Sequence, residues 1–161
     1  MTIGFILNGE DVVIRANAEN RLVDILRSTF NLVGTKSGCN IGYCGACSVI
    51  FNGEVIKSCL IPAFKIRDSE IITIEGFSQT SEYQDIIQGF SDEGVFNCGA
   101  CNTGKILAAE ALLGKNLKPS RNEILASYFG IKCRCTEPES LVRGILAVAE
   151  RRRKRLYGRT H

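Results

Sequence analysis

The stretch Cys39-Asn40-Ile41-Gly42-Tyr43-Cys44-Gly45-Ala46-Cys47 sets three cysteines at C-x4-C-x2-C spacing within nine residues. This is iron–sulfur ligand spacing. Three thiolates must converge on a cluster only a few ångströms across, so the chain has to wrap around it. Gly38, Gly42 and Gly45 permit positive φ and close backbone approach. Backbone N–H groups can then point at the sulfurs and stabilise their charge, which tunes the reduction potential. Cys59 supplies a fourth thiolate from a separate segment.

The flanks of this loop read as a small sheet. Residues 3–7 and 12–16, joined through Asn8-Gly9, form a β-hairpin pattern. Residues 21–30 carry Leu22, Ile25, Leu26 and Phe30 on one helical face. Residues 48–51 and 54–56 flank Asn52-Gly53 as a second hairpin, and residues 71–74 read as one more strand. Two hairpins, a crossing helix and a last strand are the element order of a β-grasp. The loop spacing is the plant-type [2Fe–2S] pattern.

Beyond residue 80 the periodicity becomes helical. Ser81 is expected to cap a helix holding Ile86, Ile87 and Phe90, and Asn102 one holding Ile106, Leu107, Ala109, Leu112 and Leu113. Ser120 with Glu123, and Thr136 with Glu139, have capping-box spacing before two further helices. Pro138 is tolerated in a first turn. Four helices with short connections imply a small bundle. The fold class expected is therefore α+β: a β-grasp domain over residues 1–78, then a four-helix-bundle domain over 79–161. A linker is expected over residues 75–84.

The helical half holds the other four cysteines, Cys98, Cys101, Cys133 and Cys135, so eight cysteines fall in two sets of four with none left over. C-x2-C and C-x-C each let one pair grip one iron. Both pairs precede predicted helices, whose positive N-terminal ends favour an anionic cluster. That arrangement should raise the potential of the second cluster. Asn97, Gly99 and Arg134 lie beside these ligands and join Gly38, Gly42 and Gly45 as expected cluster-contact residues. A structural zinc site built from the two C-x2-C pairs, Cys44/Cys47 and Cys98/Cys101, is disfavoured because 50 residues separate them, against a usual 15–20, and four further cysteines would need another explanation. Neither C-x2-C sits in a βαβ pattern, as a thioredoxin-like pair would. A Rieske centre needs two histidines, and His161 is the single one.

Composition sets further limits. The 161 residues are 45% apolar with a net charge of +3, but six of the twenty basic residues lie in 151–161. The first 150 residues thus carry 14 basic against 17 acidic side chains. The basic end suits the negative pole of a last helix, or a protein partner. No interleaved aromatics or nucleic-acid motif accompany it. No apolar run reaches the 18 residues of a membrane span. No basic-then-apolar leader opens the chain, so a cytoplasmic location is expected, where thiols stay reduced. No nucleotide-binding glycine motif is present, and no acid–base constellation suggests a catalytic residue.

The layout C-x4-C-G-x-C-x11-C followed by C-G-x-C-x31-C-R-C-T resembles the iron–sulfur subunit of molybdenum hydroxylases, the xanthine dehydrogenase/oxidase family. Cys44-Gly45-Ala46-Cys47-Ser48-Val49, Ala108-Ala109-Glu110-Ala111-Leu112-Leu113 and Cys133-Arg134-Cys135-Thr136 carry the likeness. The resemblance implies a ferredoxin-like β-grasp and a helical domain, each with one [2Fe–2S] cluster. It implies two partners in a hetero-oligomer, a molybdopterin-binding large subunit with a FAD-binding medium subunit. Electrons would pass from the hydroxylase, which acts on a purine, another N-heterocycle or an aldehyde, to the flavin. The alternative is a free-standing two-cluster ferredoxin or redox sensor. Three departures from the family pattern surround the second site: Asn97 for Gln, Asn102-Thr103 for Thr-Pro, and Glu137-Pro138 for Gly-Tyr. They lie on the side expected to face the pterin.

Overall fold

Alternation decides the first strand. β1 (Thr2–Leu7) buries Ile3, Phe5 and Leu7 and turns Ile6 to solvent, as a period of two requires. Asn8 and Gly9 take positive φ, 51° and 86°, and the chain returns as β2 (Glu10–Arg15), paired from Thr2↔Arg15 to Leu7↔Glu10. α1 (Leu22–Ser28) follows. β3 (Ser48–Phe51) and β4 (Glu54–Lys57) make the second hairpin. β5 (Glu70–Ile72) runs parallel to β1 and antiparallel to β3. The five strands lie in the order β2-β1-β5-β3-β4. The fold is the mixed sheet of a β-grasp, followed by helices. The computed structural model describes residues 1–95, 99 and 101–158. The expectations placed on Asn97, Cys98 and His161 lie outside the described residues.

Both faces of the sheet are covered. On one, Leu22, Ile25 and Leu26 of α1 pack with Ile3, Phe5, Val49 and Ile71. The adjacent residues Ile50 and Ile72 point the other way and join the helical core with Val55. That core is built from α3 (Ser81–Asp92), α4 (Asn102–Lys115), α5 (Arg121–Ser127) and α6 (Pro138–Tyr157). Phe90, Leu107, Leu113, Ile124, Ile145 and Val148 fill it. Four principal helices match the expectation.

A linker over 75–84 does not exist. The residues expected to close a strand at Ile74 instead open α2 (Ile74–Phe77), with Phe77 buried in the helical core. The cause is a contact made far along the chain. The Asn8 side chain accepts from the Thr73 N–H (2.8 Å) and donates to Thr73 Oγ1 (3.0 Å), so Thr73 cannot continue the ladder. α3 follows directly. Its cap is Thr80, whose hydroxyl accepts from the Tyr83 N–H, and Ser81 is the first helical residue.

Ser120 and Glu123 form the complete capping box expected of α5. Thr136 and Glu139 do not form one for α6, whose N-cap is Glu137. Both side chains are taken elsewhere: Thr136 Oγ1 accepts from the Lys105 ammonium, and Glu139 pairs with Arg121. Asn102 is likewise not a cap; Cys101 holds that position and Asn102 begins α4.

The basic end of α6 is used within the helical half. Arg152, 4% exposed, donates to Glu110 (2.5 Å) and to the Glu82 carbonyl (3.0 Å) and lies 3.8 Å from Asp85. Arg153 donates to the Leu117 carbonyl, Lys154 pairs with Glu150, and Arg155 pairs with Asp85. Residues 152–155 are thus paired within the helical half, and Arg152 is buried rather than solvated. Among the described residues no helix is long and apolar enough to cross a membrane.

Candidate iron–sulfur sites

The first candidate site lies on the loop between α1 and β3, with Cys59 in the short turn Ser58–Leu60 after β4. The loop wraps because its backbone leaves the ordinary region at Asn40 (φ 58°), Gly42 (76°) and Gly45 (77°). The N–H groups of Ile41, Tyr43 and Cys44 thereby donate to Cys39 Sγ at 3.5, 3.2 and 3.3 Å. The Ala46 N–H donates to Cys44 Sγ at 3.5 Å. The three bonds to Cys39 Sγ, led by that from Ile41, hold the Cys39 thiol down from 9.0 to about 6. Burial and the neighbouring Cys47 thiol push Cys59 up to about 11, against the Gly42 N–H, which draws it down.

The arrangement fits a [2Fe–2S] cluster. The thiols meet in pairs, Cys39 with Cys44 and Cys47 with Cys59, and two irons held by four cysteines need two thiolates apiece. Amides already aimed at the sulfurs stabilise the net negative charge of such a cluster. A Cβ at Gly38 would stand 2.8 Å from Cys44 Sγ, so the space beside that sulfur depends on glycine.

At the second candidate site Cys101 caps α4, and Cys133 and Cys135 lie on the segment between α5 and α6. Cys98 lies outside the described residues. Burial raises the Cys133 thiol, but Cys101, the N–H groups of Cys135 and Thr136, and the Lys105 ammonium together lower it. Cys101 is buried and Cys135 exposed. The contact of the Cys133 thiol with Cys101 runs between the C-x2-C and C-x-C pairs rather than within either.

The two sites share one cleft of about 570 Å³. Cys39 and Cys44 line it from the first site, and Cys101, Cys133 and Cys135 from the second. Gly38, Gly99 and Arg134 border it, with Lys36 and Lys132; Gly99 has φ 80°. Gly42 and Gly45 shape the first loop. Of the described residues expected to contact a cluster, Gly38, Gly99 and Arg134 thus lie at this shared cleft.

Backbone holds that junction together. The Lys132 N–H donates to the Cys44 carbonyl at 3.0 Å, and Lys132 precedes Cys133. One hydrogen bond thus links a candidate ligand of one site to the neighbour of a candidate ligand of the other. A Cβ at Gly45 would lie 2.7 Å from the Gly130 carbonyl, and one at Gly104 2.8 Å from the Gly45 carbonyl. Thr103 is buried, and its hydroxyl donates to the Gly34 carbonyl at 2.8 Å. This departure is directed inward, tying α4 to the first half.

The chain is similar to known proteins along its length. Residues 5–72 match the 2Fe-2S iron-sulfur cluster binding domain family, and residues 73–146 the [2Fe-2S] binding domain family. The nicotinate dehydrogenase small FeS subunit of Eubacterium barkeri is 43% identical over 136 residues, 84% of this chain and 87% of that protein. The chain belongs to the family of two-cluster iron–sulfur subunits of molybdenum hydroxylases. One subunit of the nicotinate dehydrogenase of Pseudomonas putida is 37% identical over 95% of this chain and 98% of its own. In the crystal structure of quinoline 2-oxidoreductase from Pseudomonas putida 86, a chain aligns with TM-score 0.86 at 35% identity, covering 96% of each. A member of this family carries two [2Fe–2S]-binding domains and serves electron transfer in an oxidoreductase complex.

Three residues at the junction escaped the reading of the sequence: Lys105, Thr103 as a tether, and Lys132. Lys105 had a signal. It lies four residues after Cys101 and four before the buried Ala109, which puts it on the inward face of α4.

Proposed function

We propose that this chain relays electrons within a molybdenum hydroxylase of several subunits. In this reading a molybdopterin-bearing large subunit supplies electrons to the cluster held by Cys98, Cys101, Cys133 and Cys135. They pass to the cluster held by Cys39, Cys44, Cys47 and Cys59, and then to a FAD-bearing medium subunit. The first unit spans residues 1–78 and the second 79–161, and the complex is cytoplasmic. The nicotinate and quinoline named in the relatives support an N-heteroaromatic substrate on the large subunit.

The observation that carries the reading is the shared cleft, with five candidate ligands from both sets around one backbone junction. Bound [2Fe–2S] clusters supply one-electron steps. This chain's part is to hold the thiolates, place N–H groups on Cys39 and Cys44, and keep the two sites a few bonds apart. Its own residues need move no proton and touch no organic substrate.

The test is purification of the complex under anaerobic conditions with metal and cofactor analysis. About four irons per copy of this chain are expected for two [2Fe–2S] clusters, with molybdenum and flavin co-eluting. A free chain that holds its iron and associates with neither supports the free-standing ferredoxin. Zinc in place of iron rules out both.

A further inference from the structure

Lysine is seldom fully buried unless an anion faces it. Lys105 is 1% exposed, inside the first turns of α4. Its Nζ donates to Thr136 Oγ1 at 3.0 Å, and Thr136 directly follows Cys135. The same ammonium acts on the Cys133 thiol. Its backbone is fixed as well, because the Tyr128 hydroxyl donates to the Lys105 carbonyl at 2.6 Å. A side chain anchored at both ends keeps its charge in one place.

We infer that Lys105 sets the reduction potential of the second cluster, acting as a fixed positive charge beside Cys101, Cys133 and Cys135. Adding an electron to an anionic cluster is easier near a cation, and a charge buried among α4, α5 and α6 is screened far less than one at the surface. The lysine thus holds the second cluster at a higher potential than its thiolates alone would give. The first cluster, with its own N–H cradle, does not share this charge. Lys105 is a positioning residue for charge and takes no part in bond making.

The inference rests on the assignment of the second cluster to these cysteines, and the two fail differently. Iron content reports the assignment; the potential reports the inference. The experiment uses the whole complex carrying Lys105→Met or Lys105→Gln. Methionine is close in volume, and an adjoining cavity of about 180 Å³ beside Lys105 and Thr136 leaves room for rearrangement. Glutamine keeps a donor for Thr136 but no charge. Each cluster is titrated against potential and followed by its own EPR signal.

Both variants are expected to lower the reduction equilibrium constant of the second cluster about tenfold, equivalent to ~59 mV for one electron. The first cluster should stay in place and serve as the internal reference. An unshifted second cluster in Lys105→Gln overturns the inference, because a merely structural role would be met by the retained hydrogen bond. Loss of the second cluster in both variants also overturns it, since the lysine would then be needed for assembly. If only the methionine variant fails to hold iron, the glutamine variant decides.

Discussion

A side chain at position 45 would point into the Gly130 carbonyl from a backbone already at φ 77°. Gly53 supplies the comparison: its φ is 85°, but open space surrounds it. Gly53→Ala should therefore cost only the left-handed penalty, about 1–2 kcal/mol. Gly45→Ala should cost more, and by separating the two loops should slow electron transfer between the clusters. Thermal unfolding and flash-reduction kinetics check the pair. A second residue-scale prediction concerns acid. The Ser120 N–H, helped by the Ser120 hydroxyl, holds the Glu123 carboxyl below its ordinary 4.5. A folded value below the unfolded one means stability fully present above 4.5 and lost as pH falls through the folded value. Ser120→Ala removes the hydroxyl and keeps the N–H, so it should flatten that acid limb of an unfolding profile only in part. Chemistry was most legible at this scale where geometry demands particular residues. Thiolate spacing and loop glycines announce themselves, because no other residues can hold a cluster in so short a loop. Lys105 showed only its register with Cys101 and Ala109, which is easily passed over because a lysine on a helix usually marks a solvated face, and its burial depends on two helices distant in sequence.

At the scale of elements, α6 is attached to α3 and α4 through one buried cation. Arg152 faces Glu110, Asp85 and the Glu82 carbonyl. Burial raises the Glu110 carboxyl, and Arg152 opposes that. Arg152→Met should destabilise the protein by about 3–5 kcal/mol, the usual result of leaving buried charge without its partner. It should also raise Glu110 further, so that acid restores part of the loss: a raised carboxyl contributes stability below 4.5 that fades as pH climbs through its folded value. Denaturant unfolding at two pH values measures both effects. The elements themselves were legible where a local signal determined them. The Asn-Gly hairpins and the Ser120–Glu123 box stood as read, because turn and cap chemistry act within four residues. The end of β5 did not. The β-branched run Ile71-Ile72-Thr73-Ile74 favours a strand, and only Asn8, 65 residues away, ends it.

Over the whole molecule, one sheet serves two cores. Ile50, Val55 and Ile72 turn their side chains from the β-grasp to the helices, and Phe77 joins them. The two halves should unfold in one transition. Phe77→Ala should lower their stability together, by about 3–5 kcal/mol, with far-UV dichroism and cluster bleaching moving in step; separate midpoints would contradict this. A linker was expected because glycine, serine and threonine between two patterns resemble one. Nothing local reveals that both faces of the sheet must be covered. Lys132→Pro is the other prediction at this scale. It removes the N–H that the Cys44 carbonyl accepts, and should slow transfer between clusters while leaving about four irons per chain. The hydrogen bond between Lys132 and Cys44 is main chain on both sides, so its continuity is largely indifferent to which side chains flank it. Mutation can rewrite the side chain of Lys132 or Ile131 and leave the hydrogen bond intact. Selection can act on the link only by forbidding: no proline at 132, and nothing larger than hydrogen at 45 and 104.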